Sequence, residues 1–233
     1  MTARLTATDR LFVLTGAGVS AESGLATFRG SGGLWNGYRV EEVATPEAWH
    51  ANPQLVWNFY SMRRRDALAA QPNAAHRALA TIELTMGDRF YLCTQNVDDL
   101  HERAGSHRVH HMHGSLFQSR CVQCNQPFMD HAIYETDLPR CQVCGKPVRP
   151  QIVWFGEVPL DMEKIYRELG SATQLLVVGT SGSVYPAAGF VNLANDQGIR
   201  TVYVGPEKPL NARAFDEILL GPATEVLPSL AGD

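Results

Sequence analysis

The chain has 233 residues, a net charge of −4 and a pI near 6.1, with 45% hydrophobic and 19% charged residues. This is an ordinary globular composition, enough for one large domain or one domain carrying a small insert, and it needs no disulfides to complete a core. It excludes a disordered or collagen-like chain, and the acidic balance argues against a nucleic-acid partner. No apolar run reaches the ~18–20 residues of a membrane span, and the opening MTARLTATDR has no apolar core of a secretory signal. Five cysteines are too few for a disulfide scaffold of this length, so a reducing, cytoplasmic setting is expected.

In chain order, Arg10–Thr15 (RLFVLT) reads as a first buried strand. Thr45-Pro46-Glu47 and Asn52-Pro53-Gln54 each place a capping side chain before a proline at the first helical position. Asn73 caps the helical run AAHRALATIEL, and Arg89–Thr94 (RFYLCT) is a second strand. Asp161 caps a helix to about Leu169, Gln174–Thr180 (QLLVVGT) is a third strand, Pro186 opens a helix, and Arg200–Val204 (RTVYV) is a fourth strand. Short apolar runs alternating with helices predict an α/β fold, a Rossmann-like parallel sheet covered on both faces. Two stretches break the rhythm. The expected division is a Rossmann-like domain from 1–35, 73–118 and 151–233, a helical insert at 36–72 and a zinc-binding module at 119–150.

The module rests on Cys121-x2-Cys124 and Cys141-x2-Cys144, a zinc-ribbon spacing. Some thirty residues with few large apolar side chains cannot build a core, and a tetrahedral thiolate site supplies the missing stability. Four protein ligands leave no open position, so the zinc is structural. Two disulfides or a redox pair are the alternatives. Cys93, inside a strand, reads as a core residue.

Gly16-Ala17-Gly18-Val19-Ser20-Ala21 satisfies G-x-G-x-x-G/A after the first strand, which suits a dinucleotide pyrophosphate or simply a tight turn. A dehydrogenase would next show a strand ending in an acidic residue, and GLWNGYRVEEVATP does not. Thr94-Gln95-Asn96-Val97-Asp98-Asp99 follows a strand end, where ligands of open α/β sheets bind. His110, His111 and His113 come next. They suit a metal site, a general base or structural hydrogen bonding. Gly179-Thr180-Ser181-Gly182 offers backbone amides at a further strand end.

Together these stretches resemble the sirtuin family of NAD-dependent protein deacylases. GAGVSAESGLATFRG, TQNVDDLH, HGS, the four cysteines, VRPQIVWFGE and GTS occur in family order across most of the chain. The resemblance implies that NAD is consumed as a co-substrate. Acyl-lysine in a protein or peptide becomes free lysine, with release of nicotinamide and 2′-O-acyl-ADP-ribose. It implies that Gly16, Ala17 and Gly18 border the pyrophosphate and that Phe28 and Arg29 lie on a loop covering NAD. Gln95 and Asn96 hold the nicotinamide ribose and order water, Asn96 thereby sharing in catalysis, Val97 is a further NAD-binding residue, and Asp98 binds the carboxamide. Gly179, Thr180 and Ser181 contact the adenosine side. His113 matches the catalytic base, and Val153, Trp154, Phe155 and Gly156 match the strand that pairs with substrate. Gly205 stands where the family usually has Asn, and Ala223 resembles an adenine-side residue.

Tyr60 and Arg63 are three apart in a predicted helix and share a face, where a phenol and a guanidinium together bind a carboxylate. Taken alone, Arg63-Arg64-Arg65 also reads as a solvated face. The pair resembles the class III sirtuins, which remove succinyl, malonyl and glutaryl groups, and Ala44 matches the small residue that widens their pocket. The resemblance therefore implies desuccinylation and demalonylation, with deacetylation besides. The rivals are protein mono-ADP-ribosyl transfer, a non-enzymatic zinc-ribbon interaction module and a hydride-transferring Rossmann enzyme.

Overall fold

A computed structural model describes residues 8–27, 35 and 37–231. Phe28 and Arg29, expected over the dinucleotide, lie outside the described residues. The first strand, β1 (Leu11–Thr15), is buried along its whole length. It is followed by a single helical turn, α1 (Gly18–Ala21). Three helices then come in succession: α2 (Val40–Val43), α3 (Pro46–Ala51) and α4 (Pro53–Ala69). The anticipated capping chemistry operates here. The Thr45 hydroxyl accepts from the Ala48 amide at 3.0 Å and Asn52 Oδ1 from the Leu55 amide at 3.0 Å. Asn73 caps α5 (Ala74–Met86) through the Ala75 and His76 amides.

The sheet continues with β2 (Phe90–Thr94), then α6 (Leu100–Arg103) and β3 (Val109–His111). A small antiparallel sheet follows, formed by β4 (Gly114–Cys121), β5 (Pro127–Met129) and β6 (Val148–Ile152) in the order β5-β4-β6. The chain returns through α7 (Met162–Gly170), β7 (Gln174–Val178), α8 (Phe190–Asp196), β8 (Arg200–Gly205), β9 (Glu217–Leu220) and α9 (Ala223–Ala231). The large sheet has the order β3-β2-β1-β7-β8-β9 with every pair parallel. The four strands expected from apolar runs are its centre. Two edge strands lie outside the expected runs: β3 is mostly histidine, and β9 is apolar but only four residues long and partly buried.

Three apolar clusters hold these layers. One lies between the sheet and α5 and α9, a second between the sheet and α7 and α8, and a third joins α3 and α4 to β4 and β6. The small sheet extends past both edges of the expected 119–150 module, because β4 and β6 start or end in residues assigned to the larger domain. Asp161 does not act as a side-chain cap. It sits at φ +51° with no capping bond, and its carbonyl accepts from the Ile165 amide.

The turn after β1 packs directly against the turn after β7. The Gly18 amide donates to the Gly179 carbonyl at 2.8 Å, and a Cβ on Gly18 would lie 2.6 Å from that oxygen. Gly179 has φ +62°, and a Cβ there would meet the Val19 nitrogen at 2.5 Å. The glycines therefore serve first to let two backbones touch. Gly18→Ala is expected to cost about 1–3 kcal/mol by forcing these turns apart, measurable as a lower urea midpoint with unchanged slope.

Candidate functional site

Parallel pairing in register sets Thr15 beside both Thr94 and Val178, Thr94 beside His111, and Val178 beside Val204. The segments leaving these strands therefore emerge along one edge of the sheet. From β1 the chain goes to β2 on one side, while β7 pairs on the other, so this edge holds the topological switch point where α/β proteins bind ligands. Gly16–Gly18, Gln95–Asp98, His113, Gly179–Ser181 and Gly205 are brought together there. Because α1 is a single turn, the strand ends and glycine backbone carry the site more than a helix N-terminus does.

Beneath the edge, Thr15 donates to Thr94 at 2.8 Å and contacts His101 Nε2 at 3.0 Å. The loop after β2 is fixed from several directions. The Gln95 amide donates to Thr15 O, the Asn96 amide to Thr94 Oγ1 and the Leu116 amide to Val97 O. Ser20, a residue the sequence singled out only as part of a motif, is the hub. Its hydroxyl accepts from Asn96 Nδ2 at 3.1 Å, donates to Asp98 Oδ1 at 3.4 Å and touches His76 Nε2. Burial pushes the Asp98 carboxyl above its usual range, opposed by the Leu100 amide, His111 and Arg63.

His113 Nδ1 donates to Gln95 O at 3.1 Å. Burial holds its pKa below the ordinary imidazole value. The ring is therefore neutral near pH 7, with Nε2 carrying a lone pair, the state a general base needs. The other two histidines have different surroundings. His110 stacks on Tyr91 and contacts Leu160 O, while His111 bridges Asn96 O and Glu102. They do not converge on a metal.

The three adjacent arginines of α4 also part company. Arg64 is fully buried and binds Leu116 O, Ala132 O, Ser119 and Asp130, tying α4 to the small sheet. Arg65 is exposed and pairs with Glu135. Arg63 lies with its guanidinium 4.1 Å from the Trp35 ring centre. Its Nη1 is buried with no hydrogen-bond partner among the described residues. Arg63 also interacts electrostatically with Tyr60, one turn earlier on the same face. Tyr60 Oη accepts from Trp154 Nε1 at 3.1 Å, leaving its own proton to donate, and burial pushes its pKa up to about 12. Ala44 is buried close by, and its carbonyl accepts from the Phe155 amide at 3.0 Å.

Residues Val153–Gly156 were expected as a strand. The structure instead ends β6 at Ile152 and runs into a turn with Gly156 at φ +89°. Glu157 explains the turn: its carboxylate accepts from the Trp154 amide at 2.8 Å and from both terminal nitrogens of Arg149. Arg149 in turn lies over the Trp154 ring. Trp154 is buried, whereas Phe155 is exposed.

On the β8 side, a Cβ on Gly205 would fall 2.3 Å from the hydroxyl of Tyr203. That hydroxyl donates to Thr180 O at 3.2 Å. The unusual glycine is thus explained by a tyrosine two residues earlier on the same strand face, which fills the space and holds the Thr180 turn. Gln95 Nε2 reaches Thr180 Oγ1, and Ser181 Oγ contacts Ser183. Ala223 is buried at the start of α9, near Glu22 through Thr224.

The four cysteines of the small module face one another. Their sulfurs all lie within 4.8 Å, with Sγ–Sγ separations of 3.4 Å for Cys121–Cys144, 3.4 Å for Cys124–Cys144 and 4.0 Å for Cys124–Cys141. A tetrahedron with Zn–S bonds of about 2.3 Å has edges of about 3.8 Å. The two knuckles are alike. Asn125 donates to Cys121 O and Gly145 to Cys141 O, both residues being at positive φ. The donors fit one zinc ion with no position left open. No disulfide links any of the five cysteines, and Cys93 is buried in β2.

A model of the Sir2 family matches residues 16–186. The chain is 51% identical over 225 residues to an NAD-dependent protein deacylase of Caulobacter vibrioides, covering 94% of each. It is 50% identical over 223 residues to one of Escherichia coli, covering 94% of this chain and 80% of that one. Among solved structures, a Sir2 homologue in complex with NAD superposes with a TM-score of 0.89 at 43% identity, over 97% of this chain and 89% of that one. A Sir2 complex with a p53 peptide and NAD+ gives a TM-score of 0.83 at 28% identity, over 96% and 92%.

The purified chain is expected to carry one zinc ion, measured by elemental analysis. Cys141→Ser should lose it and melt at a lower temperature, since metal binding and folding are coupled in such modules.

Proposed function

The chain belongs to the Sir2 family and is an NAD-dependent protein deacylase; we propose that it acts on acyl-lysines whose acyl group ends in a carboxylate, succinyl and malonyl, and removes acetyl as well. The observation that carries this reading is Arg63. Its buried Nη1 has no partner among the described residues, although a buried guanidinium without an anion is costly. A carboxylate arriving between Arg63 and the Tyr60 hydroxyl would accept from both. Ala44 leaves room at this place for a chain longer than acetyl.

In this reading the peptide backbone of the substrate lies along Val153, Trp154, Phe155 and Gly156, with the acyl-lysine directed toward Tyr60 and Arg63. Gly16, Ala17, Gly18 and the Gly179–Ser181 turn hold NAD along the sheet edge. Gln95, Asn96 and Val97 position the nicotinamide ribose. Asp98 accepts from the carboxamide of nicotinamide. Nicotinamide leaves when the acyl oxygen displaces it at the ribose carbon. His113 Nε2 then removes the proton from a ribose hydroxyl, whose oxygen takes the acyl group, and Asn96 orients the water that completes release of lysine. Phe28 and Arg29 are assigned to the cover of this site from the family pattern alone. Four clustered cysteines and no disulfide among the five suit a reducing, cytoplasmic location.

The test is a mass-spectrometric assay of matched succinyl-, malonyl-, acetyl- and unmodified-lysine peptides, with and without NAD. The expected result is NAD-dependent loss of all three acyl groups with matching acyl-ADP-ribose. Radiolabel from adenylate-labelled NAD remaining on protein would favour ADP-ribosyl transfer instead. His113→Ala should keep dinucleotide binding by calorimetry and lose turnover. Arg63→Met should lose desuccinylation by about 2–5 kcal/mol in kcat/KM while deacetylation changes far less; equal losses on the two substrates reject the carboxylate role.

A further inference from the structure

His111 is one of the histidines to which the chemistry above gives no role. It ends β3, paired in register with Thr94, and it is only partly accessible. Its two ring nitrogens are both engaged by acceptors. Nδ1 donates to the Asn96 carbonyl at 2.8 Å, and Nε2 donates to Glu102 Oε1 at 2.7 Å. A neutral imidazole has one N–H, so two donated bonds require the imidazolium. We propose that His111 is a positioning residue for deacylation: its imidazolium, anchored by Glu102 on α6, holds the Asn96 carbonyl and thereby fixes the Asn96–Asp98 loop that receives the nicotinamide ribose and its leaving group.

The surrounding groups support a single positive charge here. Those facing it are Glu102 and His101 from α6, Asp98 from the loop after β2 and the neighbouring His110. Burial holds both His101 and His110 below the ordinary imidazole range, so they are neutral neighbours. Glu102, the Asn96 carbonyl and Asp98 together raise His111 despite its burial. The same charge opposes the burial-driven rise at Asp98. The remaining tethers of Asn96 come from Thr94 and Ser20 on the sheet side, so His111 is its restraint from the α6 side. This inference rests on the proposed roles of Asn96 and Asp98.

Two variants divide the bridge. In His111→Asn the amide nitrogen falls near Nδ1 and keeps the bond to Asn96. In His111→Gln it falls near Nε2 and keeps Glu102 instead. The expected result is a loss of about tenfold or more in kcat/KM for NAD in His111→Gln, with weaker inhibition by nicotinamide, against a loss of about threefold or less in His111→Asn. Both should keep the wild-type zinc content and melting temperature within a few degrees. Glu102→Gln gives an independent readout. Removing the anion lowers the His111 pKa, so the imidazolium is lost at lower pH and the alkaline limb of kcat/KM should move down by about one unit. Equal activity of the two His111 variants, losses that track melting temperature, or an unmoved alkaline limb in Glu102→Gln would each overturn the proposal. Wild-type protein without any NAD-dependent deacylation would instead overturn the functional reading on which it rests.

Discussion

Two backbones meet at van der Waals distance where the turn after β1 passes the turn after β7. The hydrogen bond from Gly18 to Gly179 and the absence of side chains at both positions bring the Gly16–Gly18 and Gly179–Ser181 segments onto one rim. If those turns stood a side chain apart, the strand ends would still emerge on the same edge, but the crevice between them would change width. Everything else in the site is measured from this contact. The polar loop after β2 is tied to it through Thr15, and the Thr180 turn is held from β8 by Tyr203.

Around that rim the protein concentrates groups whose charge state depends on desolvation. His113 is kept neutral by burial, and Asp98 is pushed toward protonation but opposed by nearby positive charge. Tyr60 stays a phenol, while Arg63 lies against Trp35 with a donor unused by the described residues. A low-dielectric site strengthens each of these interactions, which is useful when charge must develop and be relayed between a ribose, an acyl group and a base. The small sheet contributes rigidity rather than chemistry. Its buried Arg64–Asp130 pair and the Arg149–Glu157 brace carry α4 and the Val153–Gly156 turn to the rim.

Chemically identical residues in one short run take unrelated places, and this marks the limit of reading a site from composition. Arg63, Arg64 and Arg65 become a guanidinium with one nitrogen unpartnered among the described residues, a buried tie and a surface pair. His110, His111 and His113 become a stacked ring, a bridge and a neutral ring held through Nδ1. Helix and strand periodicity assigns a face to each residue, yet what waits on that face comes from segments dozens of positions away. Ser20 shows the same limit. Its place as hub depends on Asn96, Asp98 and His76 arriving from two other elements.

The sequence by itself determined the central strands, the helix caps at Thr45, Asn52 and Asn73, the cysteine spacing and the order of the motifs. Each of these is set by local sterics, local hydrogen bonding or a fixed short spacing. The tertiary structure alone decided the edge strands β3 and β9, whose pairing partners lie elsewhere in the chain, and the turn at Val153–Gly156, which Glu157 and Arg149 impose. It also decided why Gly205 is glycine, because the phenol of Tyr203 already occupies the space a side chain would need. Protonation belongs to the same class: an imidazole or a carboxyl acquires its charge from burial and neighbours, and those exist only once the chain has closed on itself.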